Sequence, residues 1–201
     1  MHPLLPGQDE ACHTEEPNFS ALPDQQFDWA YTFYGHMEEF VPHDMPTPLG
    51  RFVTIMHYVD ANLYHDLITG ILHLANKTPI DWYSKKQATV ETSTYGTEFI
   101  AACICVDQSI DVKNTLHYLG VPVHKKAYMF GDDKAVVDSS IIPHAKLHKC
   151  HNTLSFHPVR EAIAGAIIGF YHIDGNENPA DILSKHWGYR QIWKLLQPLL
   201  F

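Results

Sequence analysis

Neither a C-x-x-C pair nor an H-E-x-x-H run occurs in this sequence, although it holds four cysteines and 15 histidines. Cys12, Cys103, Cys105 and Cys150 lack the spacing of a zinc site or a disulfide framework, so they read as reduced, mostly buried thiols. The histidines are scattered without any paired Cys/His pattern, which argues against a dedicated transition-metal centre. Also missing is any apolar run of about 18 residues. The stretch from Met1 to Phe19 has neither the basic start nor the apolar centre of a secretory signal. A soluble chain without a targeting signal or membrane partner is expected. Charged residues reach only 18%, below the usual quarter or so, but a hydrophobic content of 45% suits a packed core and not bulk disorder. A length of 201 residues fits one domain with a tail better than two domains.

Lysine and arginine are absent from residues 1–50, which carry nine acids, from Asp9 to Asp44, and seven prolines. The remaining fourteen of the 23 acids are matched by fourteen bases, so the whole net charge of -9 sits in the first quarter. The overall acidity therefore does not exclude a nucleic-acid partner for residues 51–201. Residues 1–50 read as a linker or connecting segment, and residues 51–201 as the domain. Within the linker, Phe27-Asp-Trp-Ala-Tyr-Thr-Phe-Tyr34 is aromatic enough to dock, on its own domain or on a partner.

From Arg51 to Asp60 the chain is rich in β-branched and aromatic residues and reads as a strand. Two more, Gly70 to Ala75 and Ile80 to Ser84, follow at hairpin distances and suggest three antiparallel strands. Between Thr94 and Leu119, Phe99, Ala102, Cys103, Val106, Ile110 and Leu116 recur at helical spacing, with a break expected near Asp111 and a stop at Gly120. A strand at Lys126 to Phe130, helices at Lys134 to Ser140 and Leu154 to Ala164, and a strand at Ala166 to Ile173 complete the pattern. A helix from Pro179 to His186 and an apolar segment from Gln191 to Leu200 end it. The order β-β-β-α-β-α-β-α indicates an α/β fold with a mixed sheet and helices on its faces.

Asp60 near the end of the first strand, Glu98 in the first turn of the long helix, Asp132 ending a strand and Asp181 in a late helix come from separate elements. Such acids, aimed at one point, are what hydrolysis of a phosphodiester by two divalent cations about 4 Å apart requires. Magnesium prefers oxygen donors and takes only a few carboxylates from the protein. Taken singly, each acid also has a plain structural reading: a strand-end cap, a helix N-terminal acid, a turn residue, a first-turn acid.

The wording around these acids adds a resemblance. Tyr58-Val-Asp-Ala-Asn62, Asp81-Trp-Tyr-Ser-Lys-Lys-Gln-Ala-Thr-Val90 and Ser93-Thr-Tyr-Gly-Thr-Glu-Phe-Ile-Ala-Ala102 resemble successive blocks of the ribonuclease H domain of copia-type LTR retrotransposons. Gly131-Asp-Asp-Lys-Ala-Val136, His157-Pro-Val-Arg-Glu-Ala162 and Pro179-Ala-Asp-Ile-Leu-Ser-Lys185 follow in the same order. Pro46-Thr-Pro-Leu-Gly50 looks like the connection to a reverse transcriptase in such Pol polyproteins. The resemblance implies an RNase H-like fold, in which a five-stranded sheet has three antiparallel strands followed by parallel ones. It further implies Asp60, Glu98, Asp132 and Asp181 as ligands of two Mg2+ ions, with Mn2+ as a substitute. The implied activity is endonucleolytic cleavage of the RNA strand of an RNA/DNA hybrid during reverse transcription, beside the reverse transcriptase domain of the parent polyprotein.

Other polar residues divide between function and surface. Asn62 joins the candidate substrate contacts. Ser84, Lys85, Lys86 and Gln87 could meet phosphate or a 2′-hydroxyl, or form a solvated turn. Lys146, His148, Lys149, His151, His157 and Arg160 form the densest basic stretch, suited to tracking a nucleic-acid backbone or simply exposed. His172 reads as a structural histidine, and Asn178 as a cap for the helix bearing Asp181. Asp133 adjoins Asp132 but should point the opposite way. The connection between Asp66 and Gly70 is shorter than the family pattern, and one slip of register there would reverse the faces of a strand. Two alternatives stand beside the nuclease: an inactive remnant of the same fold that binds nucleic acid or acts as a scaffold, and a partner-binding protein working through its N-terminal segment.

Overall fold

The computed structural model describes residues 47–63, 67–88, 93–145, 153–186 and 188–200. The aromatic patch at Phe27–Tyr34 lies outside the described residues, as do Lys146, His148, Lys149 and His151 of the basic stretch.

Strand β1 (Ile55–Asn62) alternates as its composition dictates. Ile55, His57 and Val59 are buried on one face, and Met56 and Tyr58 are half-buried on the other. Strands β2 (Ile68–Ala75) and β3 (Thr78–Lys86) extend it as an antiparallel meander, while β4 (Ala127–Gly131) and β5 (Ile168–His172) run parallel to it on the other side. The five strands lie in the order β3-β2-β1-β4-β5. The short β1–β2 connection causes no slip: pairing is continuous from Ile55↔Ala75 through Asp60↔Gly70 to Asn62↔Ile68. Leu67, just before β2, is left-handed at φ 54.

Helix α1 (Thr94–Tyr118) starts at Ser93, whose hydroxyl accepts the Gly96 N–H. The expected break near Asp111 does not occur. No glycine or proline lies between Thr97 and Tyr118, and the Thr115 hydroxyl donates to the Asp111 carbonyl at 2.8 Å without interrupting the helix. Full burial ends at Ser109, and beyond it Ile110, Val112 and Leu116 pack on the core only partly buried. Gly120, at φ 71, makes the stop, with Gly120 N–H bonded to the His117 carbonyl and Val121 N–H to that of Leu116.

Helices α2 (Lys134–Ile141) and α3 (Thr153–Ala164) fill the β4–β5 crossover on the same face as α1. Between them and the sheet lies the core: Phe99, Ala102 and Val106 of α1 meet Val59, Met129, Phe156, Val159 and Ile168, all buried. Burying each of the larger of these side chains contributes roughly 1.5–3 kcal/mol. After β5 come a 3-10 turn at Gly175–Glu177, the single-turn helix α4 (Asp181–Ser184) and α5 (Tyr189–Leu200). The helix expected over Pro179 to His186 is thus one turn long, since Lys185 is already extended at φ -122 and ψ 151. Among the described residues no helix is long and apolar enough to cross a membrane.

Candidate metal centre

Three elements converge where β1 and β4 end. Parallel pairing of Tyr58 with Phe130 and Val59 with Gly131 puts the next residues, Asp60 and Asp132, side by side. Gly131 leaves room for the Phe170 ring, which a Cβ would meet at 3.0 Å, tighter than an ordinary contact. Glu98, one turn into α1, reaches across so that its Oε1 accepts the Ala61 N–H at 3.0 Å. One carboxylate oxygen from each of Asp60, Glu98 and Asp132 lies within 4.8 Å of the others. Asp133 turns away to cap α2, where its Oδ1 accepts the N–H groups of Ala135 at 2.8 Å and Val136 at 3.2 Å. The trio opens on a cleft of about 480 Å³, lined by Asp60, Asn62, Glu98, Asp132, Asp133 and Lys185 among others.

Asp181 stands outside that trio and is linked to Asp60 through Lys185. It is carried by α4, which Asn178 pins to the sheet: fully buried, Asn178 donates from Nδ2 to the Val59 carbonyl at 2.9 Å and accepts the Ala180 N–H at 3.1 Å. It therefore supports the turn before Asp181, although Ala180 holds the formal cap position. Close docking needs a glycine beneath: a Cβ on Gly70 would meet the Ala180 carbonyl at 2.8 Å. From α4 the Ser184 hydroxyl donates to Asp60 Oδ2. The Lys185 ammonium pairs with Asp181 and, at 3.4 Å, with Asp60 Oδ1. Neither Ser184 nor Lys185 was singled out in the sequence. Their i+3 and i+4 spacing from Asp181 was the available signal.

Concentrated negative charge in a partly dry corner resists ionisation. Burial, followed by repulsion from Asp60 and Asp132, raises Glu98 well above the usual carboxylate range, against the Ala61 hydrogen bond. Burial and Asp60 likewise raise Asp132. Burial pushes Asp181 up to about 6, with Asp60 adding to the rise and Lys185 opposing it. Burial alone would depress Lys185, but Asp60, Asp181 and Asp132 outweigh it and hold the ammonium above the ordinary lysine range.

The candidate substrate residues separate. Lys85 and Lys86 are exposed on edge strand β3, with the Lys85 ammonium 5.3 Å from the centre of the Tyr83 ring. Asn62 lines the cleft and donates to the Ser184 carbonyl at 3.3 Å. Ser84 donates to the Leu183 carbonyl at 2.6 Å and so ties β3 to α4. Gln87 is buried and donates to Thr69 Oγ1 and the Thr97 carbonyl, which makes it a brace between β2 and α1. Arg160 donates to the Pro143 carbonyl at 2.8 Å and lies over the Phe156 ring. His157 is exposed. His172, also exposed, bonds the Asp132 carbonyl at 3.1 Å.

A second polar cluster lies inside the sheet–helix interface. His57 Nδ1 and His73 Nδ1 are 2.6 Å apart, His57 Nε2 lies 2.8 Å from Ser109 Oγ, and His73 Nε2 lies 3.0 Å from Gln108 Oε1. An amide oxygen only accepts, so His73 Nε2 carries its proton and its Nδ1 is bare. His57 Nδ1 then donates to His73, and Ser109 donates to His57 Nε2. The neutral pair thus satisfies every ring nitrogen. Burial, then the neighbouring His73, lowers His57 to about 3. Burial lowers His73 as well, against Gln108 and Asp81.

No family model matches the chain. The retrovirus-related Pol polyprotein from transposon TNT 1-94 of Nicotiana tabacum is 32% identical over 134 residues. That match covers 64% of this chain and 10% of the tobacco polyprotein, so the chain spans about a tenth of its relative's length. Among solved structures, the N-terminal RNase H domain of rv2228c from Mycobacterium tuberculosis superposes with a TM-score of 0.53 at 12% identity, covering 72% of this chain and 97% of that one. RNase H1 from Halobacterium salinarum gives 0.51 at 12% identity, covering 65% and 93%. LC11-RNase H1 in complex with an RNA/DNA hybrid gives 0.51 at 16%, covering 65% and 93%. The chain therefore has the ribonuclease H fold, and a retrotransposon Pol polyprotein is its homologue.

Proposed function

We propose that this chain is a retrotransposon-derived ribonuclease H that hydrolyses the RNA strand of RNA/DNA hybrids, using divalent cations held by Asp60, Glu98, Asp132 and Asp181. The observation that carries the reading is the approach of three carboxylates, from β1, α1 and the end of β4, to within 4.8 Å on a ribonuclease H fold. The donor set suits Mg2+, with Mn2+ as a substitute: all oxygens, no thiol or imidazole, and an open side where water and a phosphate can enter. Mutual repulsion raises Glu98 and Asp132, and a divalent cation would relieve it. When bound, such cations supply Lewis acidity to activate water and to neutralise the leaving oxygen of a phosphodiester.

The chain's own residues do the positioning. The Ala61 N–H holds Glu98, Ser184 holds Asp60, and Asn178 with Gly70 sets how closely α4 brings Asp181 to the sheet. Lys85 and Lys86 project from the edge strand and provide positive charge for a nucleic-acid backbone. Arg160, Ser84 and Gln87 are engaged internally and act through the fold. Homology to a Pol polyprotein supports a reverse transcriptase domain as the partner of this unit.

The test is a strand-labelled RNA/DNA hybrid offered with Mg2+ beside double-stranded RNA and double-stranded DNA of the same sequence. Cleavage confined to the RNA strand of the hybrid is expected. Binding of the hybrid without cleavage would identify an inactive remnant of the fold, and neither binding nor cleavage would refute the proposal.

A further inference from the structure

We infer that Lys185 is a built-in stand-in for one of the two cations, so that the two positions fill in order: the Asp60–Glu98–Asp132 corner first and the Asp60–Asp181 side second. The inference rests on the metal-dependent reading above and adds a positioning residue to it.

Asp60 belongs to two differently furnished groups. In one, Asp60, Glu98 and Asp132 face the open cleft as a trio of oxygens. In the other, the Lys185 ammonium pairs with Asp181 and with Asp60 Oδ1 at 3.4 Å, so a cation of the protein's own already joins these two carboxylates. Lys185 is well placed to stay there. It follows Asp181 by one helical turn, its backbone N–H bonds the Asp181 carbonyl at 3.1 Å, and Ser184 beside it donates to Asp60. Its side chain is 35% exposed while that of Asp60 is 1% exposed, so the ammonium can leave toward water but the carboxylate cannot follow it. A monovalent ammonium on a flexible stem yields to a divalent ion when a further ligand, such as a substrate phosphate, helps hold that ion. Until then it keeps two carboxylates from repelling each other without a counter-charge. Lys185 also lines the cleft, so once displaced it remains as a positive group at the rim.

The experiment is calorimetric titration of the full chain with Mn2+ in the absence of nucleic acid, for the parent, Lys185→Met, Lys185→Gln and Lys185→Arg, with thermal melts alongside. In the parent one ion should bind at least tenfold more tightly than a second. In Lys185→Met and Lys185→Gln the second ion should tighten at least tenfold, the metal-free melting temperature should fall, and added Mn2+ should raise it by more than in the parent. Lys185→Arg, which keeps the cation, should behave as the parent. Adding Asp181→Asn to Lys185→Met should abolish the gained site. Unchanged isotherms in both neutral variants, equal tightening in Lys185→Arg, or a gained site that survives Asp181→Asn would each overturn the inference alone. A parent that binds no divalent ion would overturn both the inference and the nuclease reading.

Discussion

The carboxylate corner and the histidine pair both begin on β1, at Asp60 and His57, and they handle buried polarity in opposite ways. In the histidine pair each ring nitrogen finds one partner of the right kind, and the neutral forms close the network without charge. In the carboxylate corner the acids outnumber the ammonium that reaches them among the described residues, that of Lys185, and three of the four are pushed toward protonation. A cluster that satisfies itself serves the fold; one left with excess like charge fits the proposed cation. The difference follows from position. His57 faces α1 in mid-strand, where the helix seals the sheet, whereas Asp60 lies near the strand's end beside an open cleft.

The sharpest way to separate the two is to remove one member of each. Asp132→Asn should weaken divalent-ion binding by more than the roughly 10–100-fold that loss of an outer-shell partner costs. Its metal-free melting temperature should stay level or rise, because one repelling acid is gone. Gly70→Ala should come next: the new Cβ would meet the Ala180 carbonyl at 2.8 Å and push α4 outward, destabilising the chain by about 1–3 kcal/mol and lowering hybrid cleavage severalfold. His57→Leu leaves His73 Nδ1 and the Ser109 hydroxyl without their partner, so denaturant melts should show a loss of about 1–3 kcal/mol. Ion affinity in that variant should be unchanged, and a change would mean the two clusters are coupled.

The pH response should differ in sign. His57, lowered from an ordinary 6.5 to about 3, resists the proton in the fold, so its contribution is present above 6.5 and lost as pH falls towards 3. Asp181, raised to about 6 from 3.8, works the other way: its contribution is greatest below 3.8 and is lost as pH rises through about 6. Melts of the parent and His57→Leu across pH 7 to 4 share the acids and differ in the histidine, so the parent should lose stability more steeply on acidification. Arg160→Ala should have the smallest effect, a loss of at most about 1 kcal/mol for one partly exposed hydrogen bond, with cleavage within about twofold of the parent.

Much of this architecture is legible in the sequence because its signals are local. The strand expected over Arg51–Asp60 from a run of β-branched and aromatic residues forms at Ile55–Asn62, and the helix stop at Gly120 follows from a glycine that takes φ 71. The continuity of α1 past Asp111 is not legible, because its core-facing residues change there from fully buried to half-buried, which blurs the apolar period without ending the helix. The four acids can be picked out by their surrounding blocks, but the split between an open trio and a fourth acid held by Lys185 depends on the docking of α4. The histidine pair joins residues sixteen apart in sequence through the β1–β2 register, a distance no motif spans. Gln87 and Arg160 carry the residue types of substrate contacts; burial and bonding to Thr69 and Thr97 make Gln87 a brace, whereas Arg160 is only half-buried and bonds the Pro143 carbonyl.

The central claim is that the acid corner is a cation-dependent catalytic site. Its most direct test is cleavage of a labelled RNA/DNA hybrid by the parent and by Asp132→Asn, side by side, across a Mg2+ titration that starts from EDTA. The account predicts RNA-strand products from the parent only when Mg2+ is present, and a loss of at least about 100-fold in the variant. Cleavage that persists in EDTA, or equal rates from the two chains, would contradict it.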